Sequence, residues 1–183
     1  MSWMNNDGLY IKFGQEEGRS AVGGEFAKRD TVHEYEVLVD YTEALSATNA
    51  ILDGGSTAST TGPFGVVLPK GLRLEEVETV VKTAFTSSGT IAASTIQLGT
   101  KLSSDRSTDV AVGSIIAATA TGAVLGLATV GTKTILRVGS TGAGTLLGTT
   151  LANNQVLAIA NTLHGTNPFT AGQLLIKIRG TYP

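Results

Sequence analysis

The sequence contains no cysteine, few aromatic residues and little charge. Of its 183 residues, 15% are charged and 5% are aromatic, whereas about 25% are charged in a typical soluble domain. The lack of cysteine excludes disulfides, thiolate metal sites and a cysteine nucleophile. His33 and His164 are the only histidines, which leaves little material for metal binding or general-base catalysis. The length is sufficient for one domain with a hydrophobic core.

Acidic residues are missing from the second part of the chain. Residues 1–109 carry all 15 acidic groups, whereas residues 110–183 carry four basic groups and no carboxylate. The four cations are Lys133, Arg137, Lys177 and Arg179, and Thr, Ser, Asn and Gly supply the remaining polarity. Such a weakly charged surface favours an assembly protein in which this half is partly buried between subunits. The alternative is a monomer with a threonine-coated β surface.

Neither a nucleic acid nor a membrane is expected as a partner. The formal net charge is −2, which argues against a strongly basic nucleic-acid-binding protein. Residues 110–132 are uncharged and long enough to cross a bilayer, but four Thr, four Gly and one Ser interrupt them. No basic cluster flanks this segment, so a transmembrane helix is not favoured.

Residues 1–34 are predicted to form an extended N-terminal arm. The segment is rich in glycine and charge, and only residues 9–13 alternate as a short strand would. Its large apolar side chains either pack back on their own domain or dock on a neighbouring subunit. The candidate residues for an interface with a capsid or another subunit are Trp3, Tyr10, Ile11, Phe13, Arg19 and Phe26.

Residues 35–183 are predicted to form one β-sandwich domain. Segments with period-two alternation, such as 33–41 and 95–102, are separated by turns rich in Gly, Ser and Asn. About eight to ten short antiparallel strands at this spacing indicate an all-β sandwich or barrel, and residues 124–130 and 146–151 are counted among them. Residues 72–85 fit both a helical stripe and a strand, and their density of Val and Thr favours the strand.

Several partial motifs lack a residue that their chemistry needs. Residues 126–134, GLATVGTKT, approach a phosphate-binding loop, but Thr132 separates the second glycine from the lysine. Residues 139–144 approach a dinucleotide fingerprint, but no acidic residue follows to bind a ribose. The paired glutamates at 16–17 and 75–76 lie in no evident apolar pocket, which favours a solvated acidic face. Residues 105–109 fit a turn better than an ion site, because calcium takes six to eight oxygens.

These failures lead us to assign no catalytic, cofactor-binding or metal-binding residue and to expect that the protein is not an enzyme.

Three parts of the chain resemble capsid decoration (cement) proteins of tailed bacteriophages. Residues 68–87, LPKGLRLEEVETVVKTAFTS, contain a Leu-Pro-x-Gly turn, an alternating strand and a Thr-Ala-Phe ending, and IQLGT follows at 96–100. The opening WMNNDGLYIKFG at 3–14 is similar to the start of such proteins, and FTAG at 169–172 is similar to their ending. The resemblance implies a β jelly roll bound outside an icosahedral capsid, often as a trimer with arms that reach neighbours. It carries over no site residues.

The expected function is therefore that of a structural virion protein. It would bind the outer surface of a phage capsid and stabilise it by clamping neighbouring capsid subunits. The expected partners are the major capsid protein and other copies of the chain in a homotrimer, with no cofactor. The alternative is a head-fibre or tail-associated β-sandwich that binds host-surface glycan. That role needs exposed aromatic residues, and residues 110–183 contain only Phe169 and Tyr182.

Overall fold

The chain folds as an all-β sandwich, as the alternation predicted. The computed structural model describes residues 2–4, 10–12, 22–29, 32–41, 50–51, 66–104, 109–162 and 169–182, and side chains are described at 32–41, 66–104, 113–159 and 169–182. The strands in chain order are β1 (Ser2–Met4), β2 (Tyr10–Lys12), β3 (Val22–Arg29), β4 (Val32–Asp40), β5 (Ala50–Ile51), β6 (Val67–Leu68), β7 (Arg73–Ser87), β8 (Thr95–Leu102), β9 (Asp109–Ile116), β10 (Lys133–Arg137), β11 (Gln155–Thr162) and β12 (Phe169–Thr181).

Two antiparallel sheets contain these strands. The first, sheet A, has the order β1-β2-β3-β4-β12-β7-β10, and the second, sheet B, has the order β5-β11-β8-β9. The short strand β6 pairs with β11 on the same side as β5. A 3₁₀ turn (Ile91–Ala93) and the short helix α1 (Gly122–Leu125) lie in the connections.

The core lies between the two sheets and follows from the alternation within each strand. In β4 the burial alternates along the strand, with Tyr35, Val37 and Val39 buried. The inward residues of β7 and β12 continue this layer, and Ile96 and Leu98 of β8 belong to the same apolar cluster. The rings of Phe85 and Phe169 meet edge to face with centroids 4.9 Å apart, an arrangement that aromatic pairs favour.

The ambiguous segment 72–85 is confirmed as a strand, since β7 covers almost all of it. Its neighbours explain the outcome: β7 pairs with β12 on one side and with β10 on the other. A central position buries one face of the strand and suits β-branched residues. The predicted strand 95–102 has the same bounds as β8.

Two predicted strands were wrong. Residues 124–130 contain the end of helix α1 and then turns, because Gly126 ends the helix in the left-handed conformation with φ of 64°. Residues 146–151 form turns around Gly148, which has φ of 81°. Each segment nevertheless buries some apolar residues, for example Leu125 and Leu147, so turns placed these side chains in the core without alternation.

The N-terminal segment contributes three strands to sheet A. Strand β3 pairs with β4 from Val22 opposite Leu38 to Arg29 opposite Val32, and β2 and β1 follow outward. Strand β4 begins at Val32. The division into an arm at 1–34 and a body at 35–183 stays a prediction.

Candidate functional site

The six candidate interface residues fall on the N-terminal strands or outside the described residues. Trp3 lies in β1 opposite Ile11 of β2, and Tyr10 lies opposite Lys28. Phe26 lies in β3. Phe13 and Arg19 lie outside the described residues. The backbone pairing brings Trp3, Tyr10 and Ile11 together on adjacent strands, and their role in an interface stays a prediction.

The partial motifs form turns or core contacts. In the segment 126–134 a helix precedes the glycine and strand β10 follows it, whereas a phosphate-binding loop needs a strand before and a helix after. His33 is buried and meets the ring of Tyr182 edge to face at 4.8 Å. Within the described residues no group of three or more His, Asp or Glu side chains is placed to hold a metal ion. No helix in that part of the chain is both long and apolar enough to cross a membrane.

Charged residues form an ordered array on the outer face of sheet A. Because side chains alternate along each strand, the outward positions of β4, β12, β7 and β10 line up in rows across four neighbouring strands. Two of these rows are charged, and we call them, together with Lys133 of the next row, the charge ladder. Its members are Glu34, Glu36, Glu76, Glu78, Lys133, Arg137, Lys177 and Arg179.

The first row alternates in sign across all four strands. Arg179 of β12 lies opposite Glu34 of β4 and opposite Glu76 of β7. Its Nε donates to Glu34 Oε2 at 2.6 Å, and its Nη1 donates to Glu76 Oε1 at 2.5 Å. Arg137 of β10 completes the row through Nε and Nη2, which lie 2.8 and 2.7 Å from Glu76 Oε2. One carboxylate thus joins two guanidinium groups.

The second row lies two residues further along each strand. Lys177 of β12 lies between Glu36 and Glu78 in register, and its Nζ is 3.4 Å from Glu36 Oε2. Glu78 instead pairs diagonally with Lys133 of β10, which lies one row further, opposite Val80, and whose Nζ is 2.9 Å from Glu78 Oε2. Glu78 is buried although it faces outward, and Arg179 Nη2 lies 3.8 Å from the same oxygen.

The ladder favours the charged forms of Glu76 and Arg179. Partial burial by itself raises the pKa of Glu76, but the hydrogen bonds and positive charges of Arg137 and Arg179 outweigh it, so this pKa lies below 4.5. The hydrogen bonds that Arg179 donates to Glu34 and to Glu76 raise the pKa of Arg179. An opposite charge within hydrogen-bond distance favours ionisation in this way. The face therefore presents alternating, mutually satisfied charges.

The ladder explains the uneven distribution of charge along the sequence. All four cations of residues 110–183 belong to it, and their carboxylate partners come from β4 and β7. The glutamates at 75–76 are predicted above to form a solvated acidic face, whereas Glu76 pairs with Arg137 and Arg179 on the outer face of sheet A. The detectable signal was a repeated pair of like charges two residues apart, at 34 and 36, 76 and 78, and 177 and 179.

A shallow depression adjoins one end of the ladder. It has a volume of about 320 Å³ and is lined by Val32, Glu75, Glu76, Arg137, Arg179, Gly180 and Thr181. Thr181 donates from Oγ1 to Glu75 Oε1 at 3.2 Å, and both arginines already bind carboxylates. The depression is open and its charges are satisfied, so its geometry suits contact with another surface better than enclosure of a small charged ligand.

Comparisons with known proteins identify no relative. No protein-family description, no curated protein and no solved structure matches the chain.

Proposed function

We propose that this protein is a structural virion protein that binds the outer surface of a phage capsid and clamps neighbouring capsid subunits. In this proposal the N-terminal arm reaches the capsid protein, and the sandwich supplies a rigid body. Copies of the chain associate, with a homotrimer as the expected form. The proposal combines the sequence resemblance with three features of the described residues.

The order of the strands in the two sheets is the main structural observation that supports the proposal. Eight strands, β4, β5 and β7 to β12, form two four-stranded groups with the orders β4-β12-β7-β10 and β5-β11-β8-β9. If these eight are numbered along the chain, the orders are 1-8-3-6 and 2-7-4-5. These orders support the proposed jelly roll, in which two Greek keys share a sandwich. Jelly rolls occur in viral capsid proteins and in lectins, so a jelly roll favours the structural function.

The residues that resemble decoration proteins occupy consecutive elements of this arrangement. The run 68–87 spans the end of β6, a turn and all of β7, and β8 contains the next matching residues at 96–100. Strand β7 is one of the inner strands of the body, since it pairs with both β12 and β10. The resemblance therefore falls on an inner strand of sheet A and on the strand of sheet B that follows it in the chain.

The charge ladder gives the body the properties that a clamp needs. It ties β4, β12, β7 and β10 together across their outer face, in addition to their backbone hydrogen bonds. Cross-strand ion pairs of this kind would help a protein to resist an outward load. Between subunits, many weak contacts in a symmetric lattice add through avidity.

Copy number in purified virus particles tests the proposal. The protein would be quantified against the major capsid protein by mass spectrometry in particles of the virus that encodes it. A number of copies comparable with the capsid protein is expected for a decoration protein. A few copies confined to the tail or vertices would support the glycan-binding fibre module instead. Complete absence from particles would overturn both virion assignments.

A further inference from the structure

The exposed apolar residues concentrate at one edge of sheet A. Five large apolar residues in the described part of the chain are exposed by 40% or more, and three of them lie within nine residues. Val130 is 62% exposed, Ile135 is 41% exposed and Val138 is 68% exposed. Strand β10 lies between the two valines and ends the strand order of sheet A. We call residues 130–138 the β10 edge.

The backbone of the β10 edge offers hydrogen-bonding groups on its open side. The backbone N–H of Arg137 donates to Ser140 Oγ at 3.0 Å, and the backbone C=O of Arg137 accepts from the N–H of Ser140 at 2.9 Å. Those groups therefore point away from β7. Since the direction alternates every residue in an antiparallel strand, Lys133 and Ile135 also point their N–H and C=O groups away from β7. These two residues form a short template to which an additional strand can pair.

The charges on the β10 edge select the type of strand that can join it. In an antiparallel pair of two β10 strands centred on Ile135, Lys133 would lie opposite Arg137 of the other copy. Like charges directly opposite each other destabilise a strand pair, so a second β10 is disfavoured. An incoming strand with carboxylates at those positions would instead be attracted. The side chains of Lys133 and Arg137 are 53% and 66% exposed, so a second carboxylate can reach each of them.

We propose that the β10 edge binds an extended acidic segment of a partner protein, which joins sheet A as an added strand. The segment carries an acidic residue opposite Arg137, an apolar residue opposite Ile135 and an acidic residue opposite Lys133, with one residue between each. Val130 and Val138 contact apolar residues that flank this pattern. The inference stands on the edge geometry and does not require the partner to be a capsid protein.

A synthetic peptide tests the proposal with the full-length protein. The probe is an end-blocked peptide of nine residues, Val-Thr-Glu-Thr-Val-Thr-Glu-Thr-Val, whose central valine has one glutamate two positions before it and one two positions after it. A matched peptide replaces both glutamates with lysine. Binding is followed by NMR and by amide hydrogen exchange. We expect the acidic peptide to bind and to slow exchange at the Lys133 and Ile135 amides, and the lysine peptide to bind at least about threefold more weakly.

Two variants locate the binding surface. Ile135→Asn removes the apolar contact at the centre of the edge without adding a charge and is expected to weaken the acidic peptide at least about threefold. Val67→Asn is the matched control, because Val67 is also 41% exposed but lies on sheet B, and it should leave binding unchanged. Both positions are exposed, so both variants should fold.

Three results would overturn the proposal. The first is no binding of the acidic peptide at millimolar concentration, and the second is equal binding to wild type and Ile135→Asn. The third is concentration-dependent self-association that protects the Lys133 and Ile135 amides without peptide, which would make a second copy the occupant. None of these results bears on copy number in virus particles, so the test is separate from that of the proposed function.

Discussion

At the scale of single residues, Glu76 is the group whose charge is expected to affect the free energy of unfolding, because its carboxylate binds both Arg137 and Arg179. Its pKa lies below 4.5 in the folded protein, so its stabilising effect is complete above the unfolded-state pKa and is lost as the pH falls through the folded-state pKa. We expect Glu76→Gln to lower the free energy of unfolding by about 1–3 kcal/mol at pH 7. The loss should shrink as the pH falls below about 4.3, the ordinary pKa of Glu, because first the unfolded and then the folded state binds the proton. Urea unfolding at pH 7 and at pH 2 measures it.

Glu75→Gln is the matched control for this prediction. Glu75 is the adjacent carboxylate, but it is more exposed and its nearest cation, Arg73, is 3.5 Å away. An exposed pair of this kind contributes about 0–1 kcal/mol. An equal loss for Glu76→Gln at pH 7 and at pH 2 would mean that packing, and not charge, stabilises the protein at this position.

A second residue-scale prediction concerns Gly172, which lies where β12 passes the ring of Phe85. Gly172 has φ of 141°, and a Cβ there would lie 2.3 Å from Phe85 Cδ1. We expect Gly172→Ala to lower the free energy of unfolding by about 2–4 kcal/mol, through both backbone strain and the clash. Gly139→Ala separates the two causes, because Gly139 has φ of 84° and nothing within 4 Å of its added Cβ. Its cost should be about 1 kcal/mol.

Thermal and urea unfolding measure the free energy that each alanine substitution costs. Gly172→Ala is also made in a Phe85→Leu background, in which the aromatic ring is absent. Removing the ring should make the Gly172→Ala substitution less costly, since residues in contact are not additive. A Gly172→Ala cost no larger than that of Gly139→Ala would rule out the ring contact as its cause.

At the scale of elements, the sequence predicted the strands well where packing follows alternation. Strand β8 has the predicted bounds, and β7 is a strand because its Val and Thr residues face neighbours on both sides. The prediction failed at residues 124–130 and 146–151, where Gly126 and Gly148 adopt positive φ and turn the chain. Short apolar runs can be buried by turns as well as by strands, and nothing local in the sequence distinguishes the two.

The charge ladder was missed for a different physical reason. The like-charge pairs in β4, β7 and β12 are visible in the sequence and indicate one outward face per strand. Their pairing depends on which strands are neighbours, and β4 and β12 are joined in register although Glu34 and Arg179 are 145 residues apart. Such long-range strand order is a property of the fold and not of any local segment. The same limit applies to the open side of β10.

At the scale of the whole molecule, the proposed division of labour between arm and body can be tested by truncation. The apolar core of the described residues runs from Tyr35 to Ile178 and draws on both sheets. We therefore expect deletion of residues 1–30 to leave a folded body, because it removes β1 to β3 from one side of β4 but leaves β4 paired with β12. If the proposed function holds, the truncated protein should no longer bind capsids.

Circular dichroism and thermal unfolding establish whether the truncated body is folded, and cosedimentation with undecorated capsids measures binding. The triple variant Trp3→Ala, Tyr10→Ala, Phe26→Ala keeps the full chain and removes three of the candidate interface side chains, so it should also bind more weakly. Normal decoration by the folded truncated protein would place the capsid contact on the body. The open side of β10, at the opposite end of sheet A from β1, would then be the first surface to test, because it combines exposed apolar residues with unpaired backbone groups.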